Sequence, residues 1–88
     1  IINSTDMSLK LKIVSPEKVE FDNVVESVKV PGAMGGFEIL DNHAPIISVL
    51  QNGIVEYSTK DDKKQLTISG GFVEVLKNCI SLCVEKAQ

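Results

Sequence analysis

The chain has 88 residues, 43% of them hydrophobic and 24% charged, and a formal net charge of −3 at pH 7. That is the length of one domain and too apolar a composition for a disordered chain. Its nine basic residues are all lysines and lie scattered along the chain, which excludes the basic patch that nucleic acid or an anionic membrane requires and the bidentate arginine clamp of many phosphate sites.

Residues 1–6 are too short and too polar for a signal peptide, and Met7 reads as a natural start. They are therefore set apart as an appended remnant or disordered start, with the domain at 7–88. No apolar run approaches the ~20 residues of a membrane-spanning helix. Nothing repeats at helical period, whereas valine and isoleucine dominate the apolar set and tryptophan is absent, which favours sheet.

Leu9-Lys10-Leu11-Lys12-Ile13 alternates as a half-buried strand, and Ser15-Pro16-Glu17-Lys18 turns the chain. Val19 to Asp22 predicts a short second strand. Val24, Glu26, Val28 and Val30 are expected to share one face of a third, which Pro31-Gly32 stops. Gly35 to Pro45 then holds a short strand (Phe37 to Leu40), a polar hairpin at Asp41-Asn42-His43, and an exit fixed by Pro45. Ala44 to Leu50 follows, with Ile46 and Leu50 on one face and Ile47 and Val49 on the other. A strand apolar on both sides predicts burial on both, within the fold or against a partner.

Gln51-Asn52-Gly53 is a turn, Ile54 to Thr59 a strand, and Lys60 to Lys64 a charged, solvated tip. Gln65 to Ser69 alternates again until Ser69-Gly70-Gly71 breaks or bulges the sheet before Phe72 to Leu76. Lys77-Asn78 turns into a last strand, Cys79 to Val84, whose Ile80, Leu82 and Val84 face one way. Cys79 and Cys83 lie about 13 Å apart on such a strand, too far for a disulfide, and read as reduced, small hydrophobes of a cytoplasmic protein. The pattern is all-β: a small antiparallel β-sandwich or flattened barrel of roughly eight to ten short strands.

Catalytic signals are weak. His43 and Asp41 with Ser48 or Ser69 could be written as a triad, but Asp41 is only two residues away on a turn and neither serine sits in a nucleophile elbow. The glycines at 32, 35 and 36 form no dinucleotide fingerprint and precede a strand. Two cysteines with one distant histidine make a poor zinc set. No catalytic residue, metal or cofactor is assigned.

Gly35 through Ile47, then Gly53, then Ile68-Ser69-Gly70-Gly71-Phe72-Val73-Glu74-Val75 resemble the N-terminal β-sandwich domain of the epsilon subunit of bacterial F-type ATP synthase, called delta in mitochondria. Ile13 to Glu17 and Phe21 fit the opening of that family, so the likeness covers nearly everything from Met7 to Gln88. The family pattern runs roughly G-x-x-G-E-F-G-I-L-P-N-H-A-P, then K-P-G, then I-S-G-G-F-x-E-V. Here Gly36 stands at the usual glutamate, Glu38 at the usual glycine, Asp41 at the usual proline, and Gln51-Asn52-Gly53 at K-P-G. The chain ends at Gln88, ahead of the C-terminal helical hairpin into which family members usually continue.

The resemblance implies a non-enzymatic rotor subunit of the central stalk, coupling proton-driven rotation of the c-ring to the gamma subunit while catalysis resides in other F1 subunits. It implies a peripheral location at the cytoplasmic face of the bacterial inner membrane, with no direct insertion. Its c-ring-facing edge would comprise Met34, Gly35, Gly36, Glu38, Asn42 and His43, and its gamma-facing side Ser15, Phe21 and Ile47. If Phe37 points inward, Gly36 and Glu38 share a face, so Glu38 could carry the family's acidic contact displaced ~7 Å along the strand. The alternative is a stand-alone β-sandwich binding module with Gly35 to Pro45 as its recognition edge.

Overall fold

A computed structural model describes residues 8–87; the expectation for residues 1–6 and the start at Met7 lie outside the described residues. Eight strands form: β1 (Leu9–Val14), β2 (Val19–Val25), β3 (Ser27–Val30), β4 (Phe37–Ile39), β5 (Ile46–Leu50), β6 (Gly53–Ser58), β7 (Lys63–Leu76) and β8 (Cys79–Lys86). They hydrogen-bond in the order β2-β1-β8-β7-β6-β3-β4, with β5 also on β7. Every pairing is antiparallel except β1 with β8, which run parallel. A parallel neighbour cannot come from a hairpin, and these two strands stand at opposite ends of the chain.

β7 is the strand on which both layers are built. Its first part, Lys63 to Ile68, pairs with β6. Its last part, Gly71 to Val75, pairs with β5, and from Ile68 onward its other edge holds β8. One layer is therefore β2-β1-β8-β7-β5 and the other β7-β6-β3-β4. Of the break or bulge expected at Ser69-Gly70-Gly71, the structure has the bulge, inside one continuous 14-residue strand and marked by a register shift between Ile68 and Gly70. An unpaired residue bends and twists a strand, which lets β7 leave one layer for the other. Gly71 is required there. Its φ is +148°, and a Cβ would stand 2.2 Å from the Cys83 carbonyl oxygen.

A second corner lies between β2 and β3. The single strand expected over Val24 to Val30 is two, divided at Glu26, whose N–H donates to the Ser58 carbonyl at 2.7 Å. The residue spent at the corner reverses the parity: Val25, Val28 and Val30 are buried while Val24 is 45% exposed. On the other side, Gly32 bridges to Leu50, Ala33 N–H donates to Val49 O and Gln51 N–H to Pro31 O, both at 2.9 Å. These bonds draw the two layers into a flattened barrel. Alternation along the strands fills its interior with Leu11, Ile13, Ile39, Val55, Ile68, Val73, Ile80 and Leu82, all fully buried.

At one end the Phe21 ring packs on Tyr57 with centroids 4.6 Å apart. Beside it, Ser15 Oγ donates to Glu20 Oε2 at 2.8 Å, and Lys86 Nζ lies 3.4 Å from Glu20 Oε1, tying the end of β8 to β2. The Ser15 hydroxyl holds the Glu20 carboxyl below its ordinary value, partial burial opposes this, and the Lys86 ammonium adds to it. Burial, and secondarily the Glu20 charge, push the Tyr57 phenol up.

Two expectations follow from this architecture. Gly71→Ala should cost about 2–4 kcal/mol in urea denaturation. Gly70→Ala, where a Cβ meets nothing closer than 3.8 Å, should stay within about 0.5 kcal/mol of wild type. Because folding lowers the Glu20 pKa, the stability that its charge contributes is present above the unfolded value near 4.5 and is lost as pH falls through the folded one. The advantage of wild type over Glu20→Gln, measured by denaturation across a pH series, should be full at pH 7, shrink as pH falls below 4.5 and vanish once pH is below the lowered folded value.

Candidate protein-protein interface

The Gly35 to Pro45 stretch is built around β4, a three-residue strand at the edge of its layer, paired with β3 alone. A loop precedes it (31–36) and a second follows it (40–45). Phe37 packs against the core, so Glu38 points outward beside Lys29, its partner across the ladder. Gly36 and Glu38 are both exposed, in keeping with the shared face expected for them. Lys29, Pro31, Gly36, Phe37, Glu38 and Ile54 line a groove of ≈ 410 Å³ along this edge.

Asp41-Asn42-His43 forms a turn that leads from β4 to β5 on the other layer; it does not close a hairpin, because β4 pairs with β3 and β5 with β7. Asn42 has φ +64°, a conformation asparagine tolerates well. The His43 ring sits 6.3 Å from that of Phe37, and its Nδ1 donates to the Ala44 carbonyl at 2.8 Å. Met34, Gly35, Gly36, Asn42 and His43 thus flank one short edge strand that carries Glu38, with Met34 completely exposed at the tip of the first loop.

The triad constellation does not assemble. Asp41 accepts from Asn78, His43 donates to Ala44, Ser48 Oγ lies 3.5 Å from the Val49 carbonyl, and Ser69 Oγ bonds the Glu85 carbonyl at 3.2 Å.

The gamma-facing residues expected from the resemblance do not fall on one spot. Ser15 is buried with its hydroxyl engaged, Phe21 is half-buried against Tyr57, and Ile47 is 74% exposed on β5, at the opposite edge of the five-stranded layer. Phe21, paired with the buried Ile13, faces inward, while Ser15 and Ile47 border a feature that single-strand reading missed. On the outer face of that layer the register places Val19 beside Val14, Val14 beside Cys83, Cys83 beside Phe72 and Phe72 beside Val49. This apolar row crosses five strands, roughly 19 Å at the usual strand spacing. Val49 is 63% and Phe72 48% exposed. Ile47 lies one step along β5 from Val49's position on the same face, and Ser15 lines a groove of ≈ 370 Å³ with Val14, Phe72 and Cys83. Ile47 and Val49 therefore form the second face anticipated for β5, and among the described residues that face is uncovered. The cysteines, read as small hydrophobes, are free thiols exposed on the same outer surface.

Such a surface appears in a chain of known kind. Residues 8–88 match the family model described as ATP synthase, Delta/Epsilon chain, beta-sandwich domain.

The chain belongs to this family.

Among curated relatives, the ATP synthase epsilon chain of Leptospira interrogans is 43% identical over 77 residues, covering 88% of this chain and 61% of that one. That of Magnetococcus marinus is 38% identical over 81 residues, covering 92% and 59%. The chain thus spans about three fifths of the length of these relatives. The same fold occurs in a solved mitochondrial ATP synthase assembly of Euglena gracilis containing OSCP, F1 and c-ring, with a TM-score of 0.85 at 21% identity over 93% of this chain and 53% of that one. It occurs again in the central stalk and c-ring of the Tetrahymena thermophila mitochondrial enzyme, with a TM-score of 0.74 at 18% identity over 88% and 63%. The all-β sandwich expected from the epsilon-family resemblance is the fold found.

Proposed function

We propose that this domain is a non-catalytic part of the rotor of an F-type ATP synthase, held on the gamma subunit by the outer face of its five-stranded layer and seated on the c-ring by the β4 edge. The observation that carries the reading is the apolar row from Val19 to Val49, continued at Ile47. A small sandwich with a filled core has no folding reason to lay an apolar stripe across five strands on its water side. Such a stripe suits a permanent protein neighbour, because burial of apolar surface is the main favourable term in association.

The β4 edge differs in chemistry. Glu38, Asn42 and His43 offer a carboxylate, an amide and an imidazole, groups suited to polar loops presented by a ring at the membrane surface. The domain would lie at the cytoplasmic face of a bacterial inner membrane without entering it. Its task is mechanical: ring rotation reaches gamma through a body whose layers share β7 and are joined again at Gly32–Leu50. Catalysis of ATP synthesis belongs to other subunits.

Ile47→Asp should weaken binding to purified gamma subunit by about tenfold or more, since it places a charge beside Val49 at the β5 end of the apolar row. Lys60→Asp, at the charged tip beyond β6, should leave it unchanged. Glu38→Gln should weaken capture by detergent-solubilised c-ring several-fold without altering gamma affinity. Equal gamma affinities for the first pair would remove the β5 face from the interface. A chain that binds neither partner would be a stand-alone binding module.

A further inference from the structure

The β7–β8 turn does more than reverse the chain. Lys77 and Asn78 have φ of 50° and 60°, the left-handed pair that a two-residue hairpin of this hand demands. The Asn78 carbonyl accepts from Lys10 N–H at 2.8 Å, which fixes the turn to the start of β1. Its side chain turns toward a distant part of the sequence. Asn78 Oδ1 accepts from the Asn42 N–H at 2.9 Å, and Asn78 Nδ2 donates to Asp41 Oδ1 at 2.5 Å. The partners settle the amide's orientation, since a carboxylate accepts and a backbone N–H donates. Both ends of one short, stiff amide are thus spent on two successive residues of the loop between β4 and β5.

The loop's own bond, from His43 Nδ1 to the Ala44 carbonyl, shapes it without fixing it to the body of the sandwich. The Asn78 amide does fix it, and does so from a turn anchored on two neighbouring strands. We infer that Asn78 is a positioning residue: it holds Asp41-Asn42-His43 in the conformation that meets the c-ring. This rests on the reading of that loop as ring-facing. Asn78 would touch no partner itself, and its action would pass through Asp41 and the Asn42 amide.

The turn and the clamp can be separated. Asn78→Gly preserves the left-handed turn, where glycine is at least as comfortable, and removes both side-chain bonds. Asn78→Asp keeps an acceptor for Asn42 N–H but sets a carboxylate against Asp41. Adding Asp41→Asn to Asn78→Asp exchanges donor and acceptor and restores both bonds. Two quantities are read in each variant: amide hydrogen exchange at Asn42, and affinity for detergent-solubilised c-ring. Asn78→Gly should speed Asn42 exchange by about fivefold to tenfold and weaken ring binding by a similar factor, as expected for the loss of two exposed hydrogen bonds. Asn78→Asp should do at least as much, and the double variant should recover both.

Unchanged Asn42 exchange in Asn78→Gly, or a double variant no better than Asn78→Asp, would overturn the clamp. Faster exchange with unchanged ring affinity, while Glu38→Gln does weaken the ring, would overturn the positioning role and leave the ring-facing reading intact. If neither Asn78→Gly nor Glu38→Gln changes ring affinity, the ring-facing reading fails and the positioning role with it.

Discussion

The structure depends on one strand serving two layers. β7 can do so because Ser69 drops out of the ladder and Gly71 follows at φ +148°, with the Cys83 carbonyl where a side chain would begin. A strand that bends at this point offers one edge to β6 before the bulge and to β5 after it, while β8 occupies its other edge. The rest follows from that geometry. β5 gains a seat on the five-stranded layer, Leu50 reaches the bridge to Gly32, and the chain between β4 and β5 must cross from one layer to the other. That crossing is the Asp41-Asn42-His43 loop, so the candidate ring-facing loop exists because the layers are joined elsewhere.

The same alternation that fills the interior composes the outer face. In β8, Ile80, Leu82 and Val84 go inward and are buried, so Cys79 and Cys83 must go outward. In β7 the inward Val73 and Val75 leave Phe72 and Glu74 outside. Period-two geometry fixes which residues lie outside, but cross-strand register decides which of them touch. Here it aligns five apolar side chains into a row and places the charged Lys12, Asp22 and Glu74 in the next row, together with Ser81 and Ile47. A stripe of this kind gives a partner one line of contact and one orientation, which suits a coupling element. The two layers are tied at β7 and again at Gly32–Leu50.

Much of this was legible in the sequence. β1 and β8 are plain from alternation, because each runs straight with one face inward, and β6 from the turn at Gln51-Asn52-Gly53 that precedes it. The errors lie where strands turn corners. Glu26 and Ser69 each consume a residue without pairing in step, so alternation puts Val24 on the wrong face and leaves break and bulge undecided in β7. Nothing local distinguishes a bend from an end when Gly-Gly or a lone polar residue stands there. Parallel β1–β8 pairing was out of reach for a related reason: it joins residues at opposite ends of the chain. At the candidate interface, Asn42 and His43 came from the motif shared with the epsilon family, and Glu38 from a position where the chain departs from it. The apolar row and the Asn78 clamp did not, since both join residues far apart in the chain and become visible once the strands are in register. The position of Asp41, where that family usually has proline, also gains a structural context, because its carboxylate is bound by Asn78.

The central claim is that the outer apolar face of the five-stranded layer is the surface on which the gamma subunit sits, and Cys83 offers a native probe in the middle of the row. Maleimide labelling of Cys83, followed by mass spectrometry in the presence and absence of saturating gamma subunit, would read the claim directly. The account predicts that bound gamma slows the reaction by about tenfold or more, since modification requires an accessible thiolate. An unchanged Cys83 labelling rate, in a sample where gamma is demonstrably bound, would contradict it.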